Sequence, residues 1–196
     1  MTTYSTPAPV APKQVLVLVY DSFAEFEVSV LLTVLSGGRH QVTTCALGPD
    51  PVTSTGGLRV LPDAVVADLD PMAYDALVVP GGEASGLLGS PSLRRLVQAL
   101  DRDGRLLAAI CGGPAVLGDA GVLDGRTFTA ALGPADPAWP GVAGRGRRLP
   151  ELLVSDGHVV TATGSSYLAF AEEVLRCLDG RPEAEPLTYF REPSPG

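Results

Sequence analysis

Leu106-Leu107-Ala108-Ala109-Ile110-Cys111-Gly112-Gly113-Pro114 reads as a buried strand that enters a helix through a cysteine, two glycines and a proline. Proline in the first helical turn loses no hydrogen bond, because that N–H would be unpaired anyway, and the glycines permit a turn too tight for side chains. Cys111 is therefore expected at a helix N-terminus, where free N–H groups and the positive dipole end would stabilise a thiolate and lower the thiol pKa. Strand, nucleophile and helix in succession is the geometry of a nucleophile elbow, although the G-x-S-x-G pattern is absent. The competing reading is a buried cysteine that packs as a small hydrophobe.

The same alternation extends both ways along the chain. Val15–Val19, Val42–Leu47, Ala76–Val79 and Val159–Thr163 are further short apolar runs without polar alternation, as expected of strands covered on both faces. Between them, Ala24–Leu35, Ser92–Asp103, Pro114–Ala120 and Tyr167–Leu178 read as helices. Such an order implies right-handed crossovers and an α/β domain, a mostly parallel sheet sandwiched by helices. Val52–Val60, with Thr55-Gly56-Gly57 at its centre, reads as a β-hairpin added to it. Residues 1–13 and 181–196, rich in proline and polar residues, are expected to be tails around a single domain at 14–180.

Composition narrows the function. Lys+Arg number 14 against 22 Asp+Glu, a net charge of −8, which argues against a nucleic-acid partner. No apolar run approaches the roughly 20 residues needed to cross a bilayer, and residues 1–12 lack the basic start and apolar stretch of a signal peptide. No membrane partner and a cytoplasmic location are expected. Cys45, Cys111 and Cys177 form no C-x-x-C pair, and with only His40 and His158 as imidazoles a structural metal site is not expected. No dinucleotide or P-loop fingerprint is present, so no cofactor is expected.

Ligands of parallel sheets bind beyond the carboxyl ends of the strands. Ala76–Val79 ends in Pro80-Gly81-Gly82-Glu83, and a glycine pair there lets backbone approach a ligand, making Gly82 N–H a candidate oxyanion donor. After the first strand, Phe23, Glu27, Val30, Leu31 and Val34 fall on one helical face, with Glu27 the only charge. A carboxylate in an apolar stripe must be paired or carry a raised pKa. Protonated, it could donate to a Cys111 thiolate, in which case Glu27→Gln should raise the thiol pKa. Glu25, well round the helix, reads as solvated.

Together these residues resemble the ThiJ/PfpI superfamily, whose flavodoxin-like three-layer sandwich is related to the class I glutamine amidotransferase domain. The resemblance rests on Phe23-Ala24-Glu25-Phe26-Glu27, Pro80-Gly81-Gly82 and Ala109-Ile110-Cys111-Gly112-Gly113-Pro114, and the string from Tyr20 to Glu27 is similar to an aromatic-rich branch of bacterial members. It implies Cys111 as nucleophile, Glu27 as its acidic partner, and Gly82 with Gly112 as oxyanion-binding N–H groups. It also implies a small-molecule substrate and a homodimer as one assembly. Superfamily members include proteases or amidases, glyoxalases or deglycases, isonitrile hydratases, chaperones and oxidative-stress sensors, so membership does not fix the substrate.

One departure matters. Protease-like and glyoxalase-like members carry a histidine where this chain reads Thr127-Phe128-Thr129-Ala130-Ala131-Leu132-Gly133. His158 and His40 each precede a strand and should lie at the opposite end of the sheet, as structural or surface residues. Without a Cys–His pair, peptide hydrolysis lacks its general base. The expectation is a cofactor-free Cys–Glu enzyme acting on a small electrophile, with a non-catalytic redox sensor using the same cysteine as the alternative. Residues 132–150, with Trp139, Arg145, Arg147 and Arg148, read as either a pocket wall or lid, or a surface insertion.

Overall fold

Strand registers explain why the apolar runs lack alternation. In the computed structural model, which describes residues 11–180 together with Leu187 and Phe190, the main sheet has seven strands. In chain order the elements are β1 (Gln14–Leu18), α1 (Phe26–Val34), β2 (Gln41–Ala46), β3 (Val52–Thr53), β4 (Arg59–Val60), β5 (Ala64–Val65), β6 (Ala76–Val79), α2 (Pro91–Arg102), β7 (Leu106–Ile110), α3 (Pro114–Asp119), β8 (Thr127–Phe128), β9 (Arg147–Arg148), β10 (Leu153–Asp156), β11 (Val159–Ala162) and α4 (Tyr167–Asp179). The sheet order is β10-β11-β7-β6-β1-β2-β5, parallel throughout except for β10.

Side chains of the central strands point alternately to two cores. Leu16, Leu18, Leu77, Val79, Leu107 and Ala109 pack with Leu93, Leu96, Val97 and Leu100 of α2 and with Ala115–Leu117 of α3. Val15, Val17, Val78, Ala108, Ile110 and Val160 pack with Val28 and Leu31 of α1 and with Phe170, Val174 and Leu175 of α4. Both faces are thus dry, and apolar residues are required at every position of these strands. This is the expected α/β three-layer sandwich. β3 and β4 form the expected antiparallel hairpin.

Several elements differ from the sequence expectation. α1 begins at Phe26 rather than Ala24, because Ala24 N–H donates to Gly81 O at 2.8 Å and Phe23 bridges Gly82, so this backbone is held by the loop after β6. The two-residue strands β5, β8 and β9 are too short for a periodic signal, and β10, an antiparallel edge strand with one buried residue, lacks the apolar run that marks the others; none of the four was anticipated. The anticipated tails lie mostly outside the described residues, but Leu187 is 1% exposed and joins the α1–α4 core. Among the described residues no helix is long and apolar enough to cross a membrane.

Candidate active site

Cys111 is the residue at which β7 stops being a strand. Its N–H still continues the ladder, donating to Ala162 O at 2.8 Å, and its carbonyl accepts from Ala131 N–H at 2.9 Å. Between these anchors its φ is +60°, a left-handed conformation shared by only one other described non-glycine residue, Ser22 at +65°. Such a conformation costs of order 1–3 kcal/mol in a residue with a Cβ and persists only where neighbours over-determine it. The result is a half-buried side chain turned out of the strand, above the carboxyl end of the sheet.

Glu27 reaches the same place from α1. It is 2% exposed, although it belongs to a helix whose other buried residues are Val28, Leu31 and Val34. Val30, expected on this face, is only half-buried. Glu27 Oε2 accepts Gly81 N–H at 2.7 Å, which holds the carboxylate on the same side of Gly81 as Cys111. Glu25 is not simply solvated, since its Oε2 accepts the Thr55 hydroxyl at 3.0 Å and Gly56 N–H at 3.2 Å, tying the hairpin to the start of α1.

Backbone closes the space around the pair. A Cβ on Gly81 would lie 2.5 Å from Cys111 Cβ and 2.6 Å from Glu27 Oε2, and one on Gly164 would lie 2.8 Å from Glu27 Oε1 and 3.2 Å from Cys111 Sγ. Only glycine fits at either position. Gly82, at φ +116°, turns the chain so that a Cβ there would run into the Ser22 carbonyl. Gly82 O and N lie 3.1 and 3.9 Å from where a Gly112 Cβ would sit, so the two glycines expected to supply oxyanion amides adjoin one another. Tyr20, 6% exposed, donates its hydroxyl to both Pro80 O at 2.9 Å and Gly81 O at 2.8 Å, and so fixes the turn that carries Gly81 N–H.

The electrostatics reverse one expectation. Burial first, then the Glu27 charge and the hydrogen bond to it, push the Cys111 thiol up to about 12, while only Gly112 N–H pulls it down. Helix α3 is six residues long, too short to supply the dipole that the sequence suggested. Burial also raises Glu27, against the opposing effects of Gly81 N–H and Cys111. Two anions here are the costliest state, so the pair keeps a shared proton. Tyr20 is likewise raised, by burial and by the acids around it.

Neither histidine approaches the pair. His158 Nε2 lies 2.8 Å from Asp101 Oδ1 at the amino end of β11, and His40 Nε2 lies 3.1 Å from Asp179 Oδ1, with its Nδ1 accepting Lys13 N–H. Among the described residues no cluster of three or more His, Cys, Asp or Glu side chains could hold a metal ion. Tyr20 and Gly164 are site features that sequence reasoning missed. For Gly164 a signal existed, a glycine directly after a strand, but its meaning required knowing that β11 lies beside β7.

Comparison with known proteins is consistent with this geometry. A model of the DJ-1/PfpI family matches residues 13–177. The chain is 30% identical over 177 residues to a protein of Bacillus subtilis (strain 168) named "Uncharacterized protease YoaZ", covering 85% of this chain and 84% of that one. It is 30% identical over 174 residues to the "Glutathione-independent glyoxalase DJR-1.2" of Caenorhabditis elegans, covering 87% and 91% respectively. Among solved structures, a DJ-1 superfamily protein from Agrobacterium tumefaciens superposes with a TM-score of 0.75 at 34% identity, covering 91% of this chain and 100% of that one.

Proposed function

Because the chain belongs to the DJ-1/PfpI family, we propose that it is a cysteine-dependent enzyme acting on a small electrophilic carbonyl compound, with Cys111 as nucleophile and Glu27 as its proton acceptor. The observation that carries this reading is that the Cys111 sulfur and the buried Glu27 carboxylate both border the same two glycines, Gly81 and Gly164, with the carboxylate held by Gly81 N–H. With the thiol raised, the nucleophile is not stored as a thiolate. Glu27 instead takes the proton as Cys111 Sγ bonds to the carbonyl carbon, and the oxygen, gaining negative charge, faces Gly82 and Gly112 N–H. The product of this step is a tetrahedral adduct on sulfur. A relative named as a glyoxalase supports a dicarbonyl as the first substrate to try.

Peptide hydrolysis is not favoured, despite the relative named as a protease. A leaving amine needs an acid, and the two histidines are bound to Asp101 and Asp179 at the other end of the sheet. The redox-sensor alternative would use the same Cys111 sulfur beside the same Glu27 carboxylate, and turnover separates the two readings. The test is turnover of methylglyoxal by the purified full chain and by Cys111→Ser. Activity lost in the variant supports the reading, and equal activity in both, or none in either across a panel of small carbonyl substrates, ends it.

A further inference from the structure

Tyr20 follows β1 and is 6% exposed, with its ring 6.3 Å from that of Phe23. Its hydroxyl lies 2.9 Å from Pro80 O and 2.8 Å from Gly81 O, so its proton is shared between two carbonyls. Pro80 O and Gly81 N–H belong to one peptide unit, which is planar and trans and turns as a rigid plate. The oxygen edge of that plate carries the Tyr20 hydroxyl, and the hydrogen edge points to Glu27 Oε2, 2.7 Å from the nitrogen. Gly81 O, on the next unit, also accepts Ala24 N–H at 2.8 Å, which ties it to the loop before α1. Pro80 O lies 2.9 Å from where a Gly113 Cβ would sit, so the plate rests against the elbow turn after Cys111. A donor on a carbonyl polarises the whole amide and strengthens the bond that its N–H makes.

Glu27 depends on that N–H. Burial raises its carboxyl, and Gly81 N–H is the largest opposing effect. The ionisable groups around it are Cys111 from β7 and Tyr20 from β1, with the acids Asp136 after β8 and Glu83 after β6 acting on these two in turn. Gly164, closing from the end of β11, brings no charge, and Glu25 is turned to Thr55 and Gly56. We propose that Tyr20 is a positioning residue that sets the proton affinity of Glu27: by holding the Pro80–Gly81 peptide it keeps Gly81 N–H on the carboxylate, and so keeps Glu27 ionised and ready to take the Cys111 proton. This deepens the proposed function and rests on it for the role of Glu27 as proton acceptor. Loss of the hydroxyl frees the plate to tilt, weakens the Gly81 bond, and lets the carboxyl take up a proton at higher pH.

Tyr20→Phe removes the hydroxyl and keeps the ring. The readout is the titration of the Glu27 side-chain carboxyl carbon by NMR on the full chain labelled in glutamate, assigned by its loss in Glu27→Gln. In a Cys111→Ser background no thiol shares the proton, so the result is independent of whether Cys111 is the nucleophile. The midpoint is expected to rise by about half a pH unit or more in Tyr20→Phe. It is expected to stay in place in His158→Gln, which loses a hydrogen bond at the other end of the sheet. A ring-fluorinated tyrosine in place of Tyr20, a stronger donor of nearly the same shape, is expected to leave the midpoint at or below its parent value. An unmoved or lowered midpoint in Tyr20→Phe, an equal rise in His158→Gln, or a rise with the fluorinated ring would each overturn the proposal. With Cys111 present, the acid limb of kcat in Tyr20→Phe is expected to move up likewise while KM holds. No turnover at all would end the proposed function and leave the carboxyl titration to decide this one.

Discussion

Cys111 keeps a strained backbone because its N–H and C=O are both committed to neighbouring chain, and that strain turns the sulfur toward Glu27 rather than into the sheet. The pair then controls its own protonation. Glu27→Gln removes the charge that opposes thiol ionisation and the acceptor that holds the thiol proton, so the midpoint of the pH profile for Cys111 alkylation should move down. This is the reverse of what the sequence suggested, where Glu27 was read as a donor to a thiolate. Loss of the proton acceptor should at the same time lower turnover by roughly 10²–10⁴-fold. Faster alkylation with slower turnover is the expected signature, and a profile that moves up or stays in place would refute the charge argument. Gly164→Ala should be as harmful as loss of the pair, since its Cβ would displace Glu27 Oε1 and Cys111 Sγ, at a cost of about 1–3 kcal/mol in thermal unfolding. Glu27 was legible because a lone charge in an apolar stripe is conspicuous. Tyr20 and Gly164 were not, because one acts through a hydroxyl on a distant turn and the other through the absence of a side chain.

At the scale of elements, the site depends on three chain segments being held against one another: the loop before α1, the turn after β6, and the hairpin β3–β4. Thr55 N–H donates to Phe23 O at 2.9 Å and Ser22 N–H to Thr53 O at 2.6 Å, while Glu25 clamps the hairpin tip through Gly56 N–H and Thr55. Bonds from its own N–H, then from Gly56 N–H and the Thr55 hydroxyl, hold the Glu25 carboxyl below its ordinary value against a smaller opposing effect of burial. A carboxyl lowered on folding contributes stability that is present above its unfolded pKa, about 4.3, and lost as pH falls through its lower folded pKa. Glu25→Gln should therefore destabilise the chain at pH 7, by less than about 1 kcal/mol given its exposure, and the gap to wild type should close below about pH 4 in urea titrations. A gap that persists at pH 3 would show that the clamp is not charge-dependent. The hairpin itself was legible from its glycine pair. Its clamp was not, because nothing in the spacing of Glu25 shows what lies across from it, and two-residue strands such as β5 and β8 are too short for any period.

Across the whole molecule, parallel strands sort the polar residues to two ends. The carboxyl ends of β1, β6, β7 and β11 gather Tyr20, Gly81, Cys111 and Gly164, whereas the amino end of β11 holds His158 with Asp101 and Arg126. Arg126 Nη2 lies 2.9 Å from the same Asp101 oxygen, so this cluster fastens the chain after α3 to the end of α2. The sequence was informative on this point because a residue just before a parallel strand has to emerge away from the elbow. It follows that the imidazole serves stability and not chemistry. His158→Gln should lower stability by about 1 kcal/mol, a fall of roughly 2–4 °C in the unfolding midpoint for a chain of this size, while the pH profile of Cys111 alkylation stays where it is in wild type. A shift in that profile would mean that the two ends of the sheet communicate. The Cys–Glu pair could then no longer be treated as self-sufficient, and a histidine acting from a distance would have to enter the mechanism.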